Sequence, residues 1–148
     1  MVSLLYVADK LSDGINPILC VLALEEPLLN QGGDREPWPL FWVRTIVATG
    51  LAVSLAELGK HHQIWHGHGN FPSGHTTFAT AVAASLVLRR GPRWLWLSVP
   101  LVVLMASSLI YGHWHTPDEV IGGFVLGLVI TTVCFRLFRS PKRQKIRL

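Results

Sequence analysis

Charge is scarce in this chain. Only 15% of its 148 residues are Asp, Glu, Lys or Arg, against roughly 25% in soluble domains. Half of the residues are hydrophobic, and the mean hydropathy is +0.40. So thin a supply of charge argues against a soluble domain and for lipid as the solvent of most side chains. Cysteine is scarce too. Cys20 and Cys134 sit far apart in apolar runs, which excludes a disulfide framework and a cysteine metal site. Repeats and low-complexity tracts are lacking. Asp9, Lys10 and Asp13 interrupt the first apolar stretch, so no signal-peptide pattern is present. The length suits one domain, residues 1–148.

The charge that is present is concentrated. Nine of the thirteen basic residues are Arg89, Arg90 and Arg93, or belong to the end of the chain from Arg136 to Arg147. A basic tail (139–148) could bind nucleic acid. Its place beside apolar runs fits the cytoplasmic flank of a membrane span better, and no nucleic-acid partner is expected. Residues 94–112 carry no charge and approach the roughly 20 residues that cross a bilayer. Residues 38–58 and 120–138 form two more spans, with Arg44 expected to snorkel to the interface. Residues 76–88 form a shorter fourth. Residues 3–29 read as an interfacial or partly inserted helix, since Pro17, Glu25 and Pro27 bracket the apolar 18–24 run. The expected fold is therefore an all-α polytopic transmembrane bundle of about four spans.

Threading these spans with the basic segments inside places residues 60–75 and 113–119 together on the outer face. All seven histidines lie in those two segments: His61, His62, His66, His68, His75, His113 and His115. Random scatter would not sort them so. Within the first segment, Pro72 and Gly74 break the chain and Ser73 is a good N-cap for the next helix. A helix start offers free N–H groups and positive partial charge, which suits phosphate, and His75 falls in its first turn. An ordinary capped helix would read the same way. In the second segment, His115 precedes Asp118 and Glu119. A carboxylate on one imidazole nitrogen leaves the other free as a nucleophile or base. Helix-start charge is the plainer reading of the two acids. Gly123 and Gly127 form a small-xxx-small pair suited to helix packing.

Together, Pro72-Ser73-Gly74-His75 and the later Ser108…His115…Glu119…Gly123 resemble the superfamily of type 2 phosphatidic acid phosphatases and vanadium haloperoxidases. His115-Thr116-Pro117 followed by Val120 is especially similar to its polyprenyl (dolichyl-type) diphosphatase branch. The resemblance covers about residues 58–128. It implies a metal-independent lipid phosphatase or diphosphatase with no cofactor, embedded in the bilayer and acting on a lipid phosphate. His115 would attack phosphorus, Glu119 orient it and His75 protonate the leaving oxygen. Lys60, Ser73 and Gly74 would hold the phosphate, with His66, His68, His113 and Asp118 as auxiliaries. Helix spacing favours Glu119 over Asp118 as the partner of His115, being one turn on. The site would be extracytoplasmic and the C-terminal tail cytoplasmic. So few spans leave room for a homodimer that completes the bundle.

The chain departs from the family pattern in two places. Leu109 stands where the last motif has arginine, and Gly67-His68 where the first has Arg-Pro. Each such donor is worth about 3 kcal/mol in a transition state. Two alternatives follow. One is a silent binder of lipid phosphates. The other is a zinc membrane protein built on His66, His68, His113 and His115 with Asp118 or Glu119.

Overall fold

A computed structural model describes residues 3–29, 37–64 and 69–138. They form five α-helices: α1 (Leu4–Leu29), α2 (Trp38–His61), α3 (Gly74–Arg90), α4 (Leu95–Tyr111) and α5 (Pro117–Leu137). A 3₁₀ turn, Pro92–Trp94, joins α3 to α4. There is no strand among the described residues.

Helix α3 is the centre, and the other four pack around it. Its sequence explains this. Ala79, Ala81, Ala83 and Ala84 are buried together with Val82 and Leu86, and small side chains let neighbouring backbones approach. Gly123 and Gly127 of α5 do the same from the other side. A β-carbon on Gly123 would lie 2.5 Å from the Ser73 carbonyl oxygen, and one on Gly127 would lie 2.6 Å from that of Thr77. Both contacts are with backbone, so neither neighbour can swing aside. The two contacts advance together along both chains, so α3 and α5 run parallel. Helix α2 runs against them. Its start meets the end of α5, where the Phe41 and Phe135 ring centroids lie 6.3 Å apart. Its last turn reaches Gly74 at the start of α3.

Three helices are long and apolar enough to cross a membrane: Trp38–His61, Pro92–Tyr111 with its 3₁₀ turn, and Pro117–Leu137. The expected fourth, α3, has 17 residues, about 25 Å at 1.5 Å per residue, short of the roughly 30 Å hydrocarbon layer. It is ringed by protein, so its own surface need not satisfy lipid. The outer faces of α2 and α5 expose Val43, Ile46, Val125 and Val129, as a lipid-facing surface does.

The N-terminal stretch takes a definite form, and one expectation changes. The N-terminal stretch is one 26-residue helix that continues through Pro17 and Glu25. Ala8, Ser12, Ile15, Leu19 and Ala23 are buried along it. Their spacing of three and four residues is a helical stripe, and along it α1 docks on α3 and α4. Arg44 does not snorkel outward. It is 5% exposed, its Nη2 donates to the Phe135 carbonyl, and its guanidinium lies 4.3 Å from the centroid of the Phe135 ring. The end of α5 meets it inside the bundle.

Candidate active site

The site lies at the end of the bundle where α3 and α5 begin and α2 and α4 finish. The α4–α5 turn presents His115. Gly112 closes α4, and His113 takes a left-handed φ of 58°. The Trp114 ring lies so close over Gly112 that a β-carbon there would be 2.4 Å from it. The backbone N–H groups of Trp114 and His115 both donate to the Leu109 carbonyl, at 3.1 and 3.3 Å. The histidine is thus held by main chain before its ring is considered.

Its ring is held by Glu119. His115 Nδ1 and Glu119 Oε2 are 2.8 Å apart, with the side chains 12% and 8% exposed. An ionised carboxylate only accepts, so in a neutral ring this contact puts the proton on Nδ1 and leaves the Nε2 lone pair free. The same Oε2 accepts the Thr116 N–H at 3.1 Å. Glu119 is the third residue of α5, and a glutamate there commonly reaches back to the cap. One carboxylate therefore starts the helix and orients the imidazole. Asp118, one residue earlier on α5, is exposed.

The Pro72–His75 segment is tied to the same place by backbone. Ser73 N–H donates to the Glu119 carbonyl at 2.9 Å, which joins the start of α3 to the first turn of α5. The Ser73 side chain is wholly buried. Its hydroxyl caps α3, accepting the Thr76 N–H at 3.4 Å and lying 3.3 Å from Thr76 Oγ1. It serves the helix start. His75, next but one, is exposed, and its ring centroid is 6.4 Å from that of His115. The two rings are tilted by 59° to each other beside the N–H end of α3.

Lys60 borders the same end. A β-carbon on Gly74 would sit 3.5 Å from Lys60 Nζ, so Lys60, Gly74, His75, His115 and Glu119 are gathered on one corner of the molecule. Lys60 is paired with Glu57, Nζ to Oε1 2.7 Å. Sequence reasoning missed Glu57, although its position one turn before Lys60 was a usable signal. His113 is exposed at the rim. His66 and His68 lie outside the described residues. Among the described residues no group of three or more His, Cys, Asp or Glu is placed to hold a metal ion. Leu109, where an arginine was expected, is 2% exposed in the hydrophobic core. That position packs the bundle and anchors the His115 turn through its carbonyl.

A carboxylate-oriented imidazole with a free nitrogen, a second imidazole nearby, an ammonium and a helix start make an arrangement suited to nucleophilic attack on phosphorus with acid–base help. The comparisons with known proteins agree with that class. The PAP2 superfamily model matches residues 51–143, well over half of the chain, and the chain belongs to that superfamily. Among curated relatives, the lipid A 1-phosphatase of Helicobacter pylori is 37% identical over 135 residues, covering 83% of this chain and 66% of its own length. An undecaprenyl-diphosphatase of Sulfolobus acidocaldarius is 32% identical over 78 residues, covering 52% of this chain and 37% of the relative. Lipid phosphate phosphatase 2 of Arabidopsis thaliana is 31% identical over 97 residues, covering 56% of this chain and 33% of the relative. The chain thus spans between one third and two thirds of the length of these relatives. No solved structure matches it.

Proposed function

We propose that the chain is an integral membrane phosphatase that hydrolyses a lipid phosphate ester or a polyprenyl diphosphate through a phosphohistidine. The observation that carries this is the Glu119–His115 pair facing His75 across 6.4 Å between ring centroids, in a chain of this superfamily. His115 Nε2 donates its lone pair to phosphorus, and the bond from phosphorus to the leaving oxygen breaks. His75, in its protonated form, gives that oxygen a proton. Glu119 stabilises the positive charge that builds on His115. Water then attacks the phosphohistidine, His75 takes the water's proton, and inorganic phosphate leaves. Lys60 and the Gly74 N–H hold the phosphoryl oxygens, and no metal or cofactor is needed for these steps.

A lipid substrate is supported by a cleft of about 460 Å³ between α4 and α5. It reaches Thr76 and Val120, each one residue beyond His75 and Glu119, and continues along α3 to Leu88. Its lining is apolar apart from four hydroxyl side chains, Thr76, Thr80, Ser98 and Thr132. A prenyl or acyl chain fits such walls while its head group reaches His115. The orientation that puts Arg89, Arg90 and the tail in the cytoplasm puts the site on the extracytoplasmic side. A homodimer would cover part of the exposed apolar surface.

The burial of Leu109 favours a second reading, a binder of lipid phosphate that turns over slowly or not at all, because an arginine donor is missing. Phosphate release in detergent separates the two. Purified protein should release phosphate from a prenyl diphosphate, undiminished by chelators. Binding without release would favour the silent reading, and activity lost to a chelator and restored by zinc would favour the metal alternative.

A further inference from the structure

Glu57 places a carboxylate beside the groups proposed to hold phosphate. Glu57 and Lys60 are one turn apart on α2, with Oε1 2.7 Å from Nζ. Both lie against the first residue of α3. A β-carbon on Gly74 would be 3.0 Å from Glu57 Oε1 and 3.5 Å from Lys60 Nζ. The Cα–Cβ direction in a helix tilts toward its N-terminus. The pair therefore borders the end of α3 that bears unsatisfied N–H groups and positive partial charge. A glycine at this position leaves room for both side chains.

Phosphate needs the same two features, the ammonium and the helix start. A carboxylate is an anionic acceptor, as a phosphoryl oxygen is, so both draw on the same donors. We infer that Glu57 competes with the substrate's phosphoryl group for Lys60, and that it thereby sets how tightly phosphate is held. The inference rests on the phosphatase reading of this corner. The two side chains differ in exposure, 20% for Lys60 and 59% for Glu57. Lys60 is the fixed member, and Glu57 is free to turn into water when phosphate arrives. An exposed ion pair is weak, so the exchange costs little. While Glu57 stays on Lys60, its charge repels the phosphate. Glu119 differs in kind, because its oxygen is committed to His115 and Thr116 inside the protein.

The sign of the effect separates this role from a structural one. If Glu57 merely orients Lys60, removing its charge weakens phosphate binding; if it competes, removal strengthens it. The measurement is calorimetric binding of inorganic phosphate to the full chain in detergent, for wild type, Glu57→Gln, Glu57→Asp and Lys60→Ala. Loss of one screened like charge should lower the Kd of Glu57→Gln about fivefold. Its KM for a lipid phosphate should fall in step, with kcat moving less. Glu57→Asp keeps the charge and should stay within about twofold of wild type, while Lys60→Ala should bind at least about tenfold more weakly. A Kd unchanged or raised in Glu57→Gln overturns the competition and leaves the phosphatase reading standing. Phosphate binding undetectable in wild type and Glu57→Gln alike also overturns the competition, while phosphate release in detergent decides the phosphatase reading separately.

Discussion

The two ends of this bundle each draw a charged side chain out of solvent, and they treat it differently. At the arginine end, Arg44 is buried, with its Nη2 on the Phe135 carbonyl and its guanidinium over the Phe135 ring. Arg89 lies 4.8 Å from the Phe41 ring centroid and Arg90 5.3 Å from that of Trp94. These cations meet protein on several sides and tie α2, α3, α5 and the α3–α4 turn together. At the other end, the carboxylate of Glu119 is equally buried, but its partner is an imidazole held at one nitrogen only. A second histidine ring, that of His75, lies 6.4 Å away between centroids. A buried charge enclosed by the protein it ties together is a structural device. A buried charge that orients the proposed nucleophile would be a chemical one.

That contrast can be broken most decisively at His115. Replacing it with alanine removes the proposed nucleophile, and phosphate release should fall by at least about a thousandfold in kcat. His75→Ala should cost about a hundredfold or more. Substrate binding should change far less in both, as single-turnover and equilibrium measurements would show. A His115→Ala chain that retained wild-type turnover would falsify the phosphohistidine.

Glu119 sharpens the comparison next. Glu119→Gln loses the charge that fixes the His115 tautomer, and kcat should drop by about two to four orders of magnitude. Asp118→Asn alters an exposed residue and should stay within a few-fold. Glu119→Asp should be partly tolerated. The reverse ranking, with Asp118→Asn inactive and Glu119→Gln active, would overturn the assignment of the carboxylate.

The arginine end should respond in stability rather than in chemistry. Arg44→Met removes a buried hydrogen-bonded donor but keeps a long apolar stem, while the Phe135 carbonyl loses a partner. A loss of about 1–3 kcal/mol is expected, read as a lower midpoint of thermal unfolding in detergent, with KM unaltered. An Arg44→Met chain as stable as wild type would mean that the buried cation is there for something other than stability.

The seam joining the two ends should show a cost in stability of similar size. A methyl group on Gly127 collides with the Thr77 carbonyl and the Thr80 side chain, forcing α3 and α5 apart at mid-helix. Overpacking of this kind costs typically 1–3 kcal/mol. At residue 127, one turn beyond Gly123, the shift should reach the site only weakly. Gly127→Ala should lower the unfolding midpoint and leave kcat within a few-fold. Gly123→Ala, beside the Ser73 carbonyl that α5 touches, should lower both.

The helices outside the N-terminal region were legible in the sequence because their cause is local. Long uncharged runs, basic stops after Leu88 and helix starts at Ser73 and Thr116 are properties of neighbouring residues, and the observed helices begin and end within about three residues of the expected ones. The sorting of histidines and arginines to opposite ends was likewise legible, since helix length and connection order dictate it. Helix α1 was less so: its stripe of Ala8, Ser12, Ile15, Leu19 and Ala23 has the right period, but the charges and Pro17 between those positions mask it. What only the tertiary structure decided are relations between distant residues. Arg44 faces inward because α5 arrives beside it some 90 positions later. Ser73 clasps Glu119 through backbone, a bond that no side-chain pattern announces. Glu57 meets Gly74 because α2 and α3 turn the same corner. Leu109 is core because α4 presents it there. Local propensity and hydropathy set which segments are helices; the rotation of each helix about its own axis, and so what each buried polar group meets, depends on the packing of the others.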